Sequence, residues 1–175
     1  MKEALAPSIT TLHDLLDYDV ARFVNAEILL KNNIPSWTNR ATSIKLKEVL
    51  LKYTDQIVQH LTVLDKFIEA EEINSLVTRD RVMYAFIEEL HEKLARCTDN
   101  EVKDACLLAG IQRVNHYKIS LYGTAAAFAK TLGMDEFAKI FHDAEVNEKQ
   151  IDDRLSQLAK YEVNLSARSP IVLEK

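Results

Sequence analysis

The chain has 175 residues, only three glycines and three prolines, and a formal net charge of −5. So few turn-forming residues argue against an all-β fold, whereas the abundance of Leu, Ala, Glu and Lys favours long helices. Basic residues alternate with acidic ones along the chain, so it lacks the clusters of Lys and Arg that general phosphate binding requires. We therefore expect one all-α domain that does not bind nucleic acid.

The sequence also bears on cellular location. No apolar run approaches the roughly 20 residues of a membrane span, and the first residues, Met1 to Ala4, lack the apolar core of a secretion signal. Cys97 and Cys106 do not have the spacing of metal ligands. These observations predict a protein of the reducing cytoplasm without a membrane-bound segment.

Apolar residues that recur every three to four positions predict five helices. The first begins at a cap on Ser8 or Thr10 and reaches about Asn33, where Pro35 ends it. Trp37 then lies in a short connection, in which we expect it to pack against a helix end.

The later helices have clear start and stop signals, because Ser, Asp and Gly occupy the capping positions. They run from Ser43 to about Ile73, from Arg81 to about Arg96, from Asp99 or Asn100 to a stop at Gly133, and from Asp135 to about Val163. The stretch 74–80 should be a turn. We expect a single domain over residues 8–165, preceded by a loose leader and followed by a tail at 166–175 that has no periodic pattern.

Four of these helices are long and one is short. At about 1.5 Å per residue the long ones each span roughly 40 Å, which suits an antiparallel four-helix bundle. Helices one and two form one hairpin and helices four and five another. The sequence therefore predicts an antiparallel four-helix bundle with a shorter additional helix between the two helical hairpins.

Each long helix carries one polar residue where its apolar stripe should continue: Glu27, Gln56, Lys118 and Glu148. At about 100° per residue, Glu27 points the same way as its apolar neighbours, and so does Glu148. His60 lies close to the centre of the second stripe, and Gln56 lies on its flank. We expect these side chains to face the core.

Two inward carboxylates need a positive charge to balance them. Lys118 can supply it, and its ammonium would then repel a divalent ion entering the same space. Alternatively, the Lys118 head could extend to water while its stem packs. His60 is more simply a hydrogen-bonded core histidine than a metal ligand.

The chain resembles the YciE/YciF family of bacterial stress-associated proteins, members of the ferritin-like superfamily. The resemblance covers about residues 12–167. It is carried by Asn25-Ala26-Glu27, by Gln56-x-x-x-His60-x-x-x-Leu64-Asp65, by Val114-Asn115-His116-Tyr117-Lys118-Ile119-x-x-Tyr122-Gly123, by Lys130-Thr131-Leu132-Gly133 and by Asn147-Glu148-x-x-x-Asp152-x-x-Leu155.

The resemblance implies a carboxylate-bridged metal site inside the bundle. However, the family pattern has Glu at four positions that here hold a neutral or basic residue: Gln56, Asn115, Lys118 and Asn147. We therefore expect a bundle-centre polar cluster that holds no metal. Its members would be Glu27, Gln56, His60, Asn115, Lys118 and Glu148.

Three functional hypotheses follow. The favoured one is a stress-associated structural or interaction protein that has lost its metal site, needs no cofactor and is not an enzyme. The alternative is an oxidoreductase-like protein that holds Fe or Mn on Glu27, His60, Glu148 and Asp152. It requires Lys118 to move away from the site.

The third hypothesis is a helical module that binds a protein partner through exposed apolar residues such as Tyr84 and Trp37. Ferritin-like bundles often pair through a helix face, so a homodimer is also expected. The sequence does not specify which face would pair.

Overall fold

The computed structural model describes residues 8–73 and 79–168, which form seven helical segments and, in those ranges, no strand. These are α1 (Leu12–Arg40), α2 (Ile44–Ala70), α3 (Arg81–Arg96), α4 (Asn100–Thr131), α5 (Asp135–Leu158), a π-helical turn (Ala159–Val163) and α6 (Asn164–Ala167). The all-α prediction is confirmed. Most of the expected leader, most of the turn expected at 74–80, and residues 169–175 of the expected tail lie outside the described residues.

The four long helices pack in a ring in which α1 contacts α2 and α4, and α5 contacts the same two helices. The end of α2 faces the start of α5, where the rings of Phe67 and Phe141 lie 5.3 Å apart. The first half of α1 faces the second half of α4, where the rings of Phe23 and Tyr122 lie 6.0 Å apart. Neighbouring helices are therefore antiparallel, and the connection that contains α3 crosses from one hairpin to the other, as in ferritin-like folds.

The helix starts follow the capping chemistry of the sequence. Thr11, rather than the expected Ser8 or Thr10, caps α1, and it forms a capping box with Asp14. Ser43 and Asp99 cap α2 and α4 as predicted. Gly133, with a φ of 74°, lies just beyond the end of α4, where only a residue without Cβ adopts this conformation at no cost.

The predicted end of the first helix at Pro35 is wrong. Proline lies inside α1, which continues to Arg40, although its ring removes one backbone hydrogen bond. Pro35 is exposed, whereas Ile34 and Trp37 on the opposite face have 0% exposure. Burial of these two large side chains offsets the lost hydrogen bond, so tertiary packing overrides the local signal.

The C-terminal ends of α2 and α5 also differ from expectation. Helix α2 ends at Ala70, before the predicted Ile73, and Glu72 has a positive φ of 49°. After α5, the chain continues through the π-helical turn into α6. Ser166 and Ala167, which were predicted to belong to the tail, therefore lie in a helix.

The core consists of two apolar clusters, one towards each end of the bundle. One includes Leu30, Ile57 and Ile151 together with residues of α3, and the other includes Leu16, Phe67 and Phe141. Between them lies a layer of buried polar side chains. This layer contains the candidate site.

Candidate functional site: a buried charge cluster at the bundle centre

Four charged or titratable side chains, one from each long helix, meet at the bundle centre. They are Glu27 of α1, His60 of α2, Lys118 of α4 and Glu148 of α5, and each is at most 3% exposed. The apolar stripes explain this placement, because each of the four side chains occupies a core-facing position of its helix. The inward orientation predicted for Glu27, His60, Lys118 and Glu148 is what the structure has.

Lys118 lies between the two carboxylates. Its Nζ donates a hydrogen bond to Glu148 Oε1 at 2.6 Å and forms an ion pair with Glu27 Oε2 at 2.9 Å. The ammonium also lies 4.7 Å from the centre of the Tyr53 ring, close enough for a cation–π interaction. Since Lys118 is 1% exposed, its head does not extend to water.

The imidazole of His60 completes the cluster. Its Nδ1 lies 3.4 Å from Glu27 Oε1 and 3.4 Å from Glu148 Oε1. With Lys118 charged and His60 protonated, two positive charges would balance two negative ones. A neutral sum reduces the cost of keeping these charges away from water.

The oxygens of the two carboxylates receive further hydrogen bonds from neutral donors. Tyr122 Oη donates to Glu27 Oε1 at 2.5 Å, and Tyr53 Oη donates to Glu148 Oε2 at 2.8 Å. Asn115 Nδ2 donates to Glu148 Oε2 at 2.7 Å and to the Glu148 carbonyl at 3.0 Å. Each acid therefore contacts both a cation and neutral hydrogen-bond donors.

Burial and charge act in opposite directions on the pKa values of Lys118 and Glu148. Burial is the largest effect on the Lys118 amine and lowers its pKa, but Glu148 and Glu27 together raise it more, so the pKa ends above its ordinary value. Burial likewise raises the pKa of Glu148, whereas Lys118 and His60 lower it to below its ordinary value. Both residues are thus kept ionised.

Burial and nearby charges also act in opposite directions on the pKa of His60. Burial, the largest effect, lowers the pKa of the imidazole, but the carboxylates of Glu148 and Glu27 raise it more, and the net pKa is raised. Burial and the nearby Glu27 and Glu148 carboxylates raise the pKa values of Tyr53 and Tyr122 well above normal. The tyrosines therefore act as neutral hydrogen-bond donors.

The arrangement does not fit a pair of metal ions. One oxygen of Glu27, one nitrogen of His60 and one oxygen of Glu148 lie within 4.8 Å of one another, which is close to the spacing of a single metal site. However, the Lys118 ammonium contacts an oxygen of both acids. A divalent ion in this space would meet a fixed positive charge a few ångströms away.

Two residues expected near the centre, Asp152 and Gln56, do not share the contacts of the charge cluster in the described structure. Asp152 is half-buried and lies 2.9 Å from His116 Nε2 and 3.5 Å from Gln112 Nε2, so the structure does not join this predicted fourth ligand to the cluster. Gln56 is half-buried, and its Oε1 has no hydrogen-bond partner among the described residues. Gln56 lies on the flank of the apolar stripe rather than at its centre, which explains its partial burial.

Sequence reasoning missed the roles of Tyr53 and Tyr122. Both lie on the core-facing side of their helices, where a tyrosine looks like any other apolar core residue. A usable signal was present, because a buried Tyr needs a partner for its hydroxyl group. On each of these helices the tyrosine lies four or seven residues from a cluster member, which places it on the same face.

Two buried acids outside the centre were missed as well. Asp104 accepts hydrogen bonds from the backbone N–H groups of Thr42 and Ser43 at 2.8 and 2.7 Å. These two residues immediately precede α2, so Asp104 acts as a long-range cap of that helix. Asp80 caps α3 and accepts a hydrogen bond from Tyr117 at 2.9 Å. Both acids hold helix ends and backbone donors in place.

A family model described as a domain of unknown function, DUF892, matches residues 11–168. This chain is a member of DUF892. The match spans the whole bundle, including all four charged residues of the centre.

Relatives of this DUF892 protein include protein YciF of Escherichia coli K12, which is 29% identical over 164 residues, or 93% of this chain and 98% of YciF. The crystal structure of the Escherichia coli stress protein YciF superimposes with a TM-score of 0.83 at 28% identity and covers 89% of this chain and 99% of YciF. The predicted resemblance to the YciE/YciF family is confirmed.

A second structural relative is YcfI of Rhodopseudomonas palustris, for which a structural role has been suggested. It superimposes on this DUF892 protein with a TM-score of 0.82 at 25% identity, covering 87% of this chain and 97% of YcfI. Within the residues that the structure describes, no helix is both long and apolar enough to cross a bilayer.

Proposed function

We propose that this chain is a YciF-type, stress-associated protein of the cytoplasm that acts as a structural or interaction protein. In this proposal the bundle centre holds no metal, needs no cofactor and catalyses no reaction. The protein supplies its own counter-charge instead. Kinship with the Escherichia coli stress protein YciF supports the stress-associated part of the proposal.

One observation carries the proposal: the Lys118 Nζ lies 2.6 Å from Glu148 and 2.9 Å from Glu27, at 1% exposure. A buried ammonium in contact with both acids does electrostatically what a bridging cation would do. The hydrogen bonds from Tyr53 and Tyr122 then occupy an oxygen of each acid that a metal would otherwise use.

A structural role for the cluster follows from its position between two apolar clusters. Apolar side chains alone permit several axial offsets between helices, whereas a buried hydrogen-bonded ion network fits only one. The charged layer would therefore select the register of the four helices. Its contribution is to the uniqueness of the fold more than to its stability.

Metal loading tests the proposal directly. The protein is incubated aerobically with Fe(II) or Mn(II), desalted and analysed for bound metal. Two tightly bound equivalents per chain in the wild type would contradict a self-neutralised centre. The double variant Lys118→Glu with Gln56→Glu, which replaces the ammonium by a carboxylate and adds another, should bind more metal per chain than the wild type.

The alternative is a metal-binding, oxidoreductase-like protein with a reduced ligand set. The proximity of Glu27, His60 and Glu148 within 4.8 Å favours it, and without Asp152 the set has three ligands. It requires the Lys118 side chain to leave the centre. In this case the double variant would change metal occupancy little, because the wild type would already bind metal.

An interaction role has its own support. Three exposed apolar residues, Ile44, Leu51 and Val58, are spaced by seven along α2 and are 74%, 58% and 43% exposed. Residues seven apart lie on one face of a helix, so these three side chains form an apolar stripe along α2, with steps of roughly 10 Å. The exposed acids Glu48 and Asp55 lie between them. We propose that a second copy of this chain covers the stripe in a homodimer.

The residues expected at a partner interface do not form such a stripe. Trp37 has 0% exposure, and its Nε1 donates a hydrogen bond to His91 Nε2 of α3 at 3.1 Å. It therefore joins two helices of one chain and cannot contact a partner. Tyr84 is 39% exposed, but the Arg79 guanidinium lies 3.5 Å above its ring.

A further inference from the structure

A second group of metal-ligating side chains lies near one end of the bundle, far from the centre. His13 and Asp17 lie one turn apart at the start of α1, and Glu71 follows the last residue of α2. Ten residues separate Asp17 from Glu27, which corresponds to about 15 Å along the helix. We name His13, Asp17 and Glu71 the bundle-end triad.

The three side chains already approach one another. His13 Nε2 lies 2.9 Å from Glu71 Oε2, and His13 Nδ1 lies 3.4 Å from Asp17 Oδ2. One ligand atom of each residue can be chosen so that all lie within 4.8 Å of one another. Ligand atoms around a tetrahedral ion with bonds of 2.1 Å are roughly 3.4 Å apart. Because the two carboxylates contact different ring nitrogens of His13, one carboxylate would turn towards the nitrogen that binds the ion.

The charge of the triad favours a cation. Two carboxylates face a single imidazole, and Asp17 Oδ1 is inaccessible to solvent without a hydrogen-bond partner among the described residues. A buried carboxylate oxygen without a donor is costly. A metal ion that the Asp17 carboxylate binds through Oδ1 would satisfy it.

The ligand types select the class of ion. One imidazole nitrogen with two carboxylate oxygens suits divalent first-row transition ions, and Zn²⁺ in particular binds such mixed sets with water in the remaining position. The nearby Asp14 is not available as a further ligand, because its Oδ2 accepts hydrogen bonds from Thr10 and Thr11 in the α1 cap. Exposures of 45% for His13, 27% for Asp17 and 19% for Glu71 leave the triad open to solvent.

We propose that His13, Asp17 and Glu71 bind one divalent transition-metal ion such as Zn²⁺ at the end of the bundle. The ion links the start of α1 to the end of α2. It is independent of the charge cluster at the centre, because it uses none of the same side chains.

Titration with Co²⁺, a spectroscopic substitute for Zn²⁺, tests this proposal. We expect a visible ligand-field absorption that saturates at one equivalent per chain and is displaced by Zn²⁺. The variants His13→Ala and Asp17→Asn should each weaken binding by at least tenfold, since even indirect partners of a metal are worth about 10–100-fold. All three residues are partly exposed, so folding of the variants is checked by circular dichroism.

A matched control is His142→Ala, which removes an exposed histidine that also faces a carboxylate, Glu145, at 3.4 Å. It should bind Co²⁺ like the wild type. Absence of saturable binding in the wild type, or equal binding by the wild type and both triad variants, would overturn the proposal. Binding that is lost only in Glu27→Gln would also overturn it, because the ion would then lie at the bundle centre.

Discussion

Burial of the Lys118 ammonium costs free energy, but its charge helps to neutralise two buried carboxylates. Removing an ammonium from water is unfavourable by several kcal/mol, and only close opposite charges with good hydrogen bonds recover that loss. Here the contacts with Glu27 and Glu148 at 2.9 and 2.6 Å provide them. The side chain should therefore contribute little net stability, while its removal should be severe because two buried carboxylates would remain.

Replacement of Lys118 by Met tests this asymmetry. Met keeps most of the volume but leaves Glu27 and Glu148 facing each other, so the free energy of unfolding should fall by about 3–5 kcal/mol. Urea denaturation followed by circular dichroism measures the change. The control is Lys139→Met, whose amine is exposed and pairs with Asp143; the expected change is below about 0.5 kcal/mol. Equal stability of the Lys118 variant and wild type would contradict a charged cluster.

His60 should make stability depend on pH. Its pKa is raised above the ordinary 6.5, so its contribution is fully present below pH 6.5 and is lost as the pH rises through the folded-state pKa. The pKa of Glu148 is lowered from 4.5, so its contribution is present above pH 4.5 and is lost as the pH falls. For these two groups, stability is greatest between these pH values.

The urea midpoint measured from pH 5 to 9 checks this prediction. The wild type should lose stability above pH 6.5, and His60→Gln, which cannot titrate there, should show a flatter profile. The groups that face His60 are Glu27, Lys118, Tyr122 and Glu148. Parallel profiles for the two proteins would mean that His60 is not protonated in the folded state.

At the scale of single helices, the connection between α1 and α2 depends on a buried acid rather than on turn residues. Asp104 of α4 accepts two backbone hydrogen bonds and one from the Thr42 hydroxyl, at 2.6–2.8 Å. Asp104 thereby accepts hydrogen bonds from the backbone donors at the start of α2, although it lies 61 and 62 residues further along the chain. This long-range cap explains why the short connection 41–43 needs neither Gly nor Pro.

Asp104→Ala should therefore be more harmful than loss of an ordinary cap. The substitution leaves two backbone donors at the start of α2 without their charged acceptor. The free energy of unfolding should therefore fall by about 1.5–3 kcal/mol, the usual contribution of a hydrogen bond to a charged group. Asp99→Ala, which removes the exposed local cap of α4, should lower the free energy of unfolding by about 1 kcal/mol. Chemical denaturation of both variants measures the difference, and a smaller loss for Asp104 would contradict the assignment.

For the whole molecule, the apolar stripe on α2 predicts association. Wild-type protein should elute as a dimer, with twice the 20.0 kDa mass of the chain. Leu51→Glu places a charge in the middle of the stripe and should shift the mass measured by light scattering to that of the monomer. Val82→Glu alters a residue of α3 that is 40% exposed and should leave the mass unchanged. A monomeric wild type would remove the stripe from the interaction proposal.

The residue patterns were sufficient to predict four long helices and one short one, and to place Glu27, His60, Lys118 and Glu148 on core-facing positions. Periodicity could do this because it depends only on the geometry of a single helix. The family resemblance rests on the same local motifs. Capping signals located most helix starts to within one residue, because caps are local interactions too.

Tertiary structure alone decided which of these side chains meet. Periodicity gives the direction of a side chain around its own axis but not its height relative to another helix, so it could not exclude Asp152 or assign Tyr53 and Tyr122 to the acids. Packing also decided that Pro35 lies inside α1, because the burial of Ile34 and Trp37 outweighs one backbone hydrogen bond. Direction is a property of one helix, whereas distance is a property of the assembled bundle.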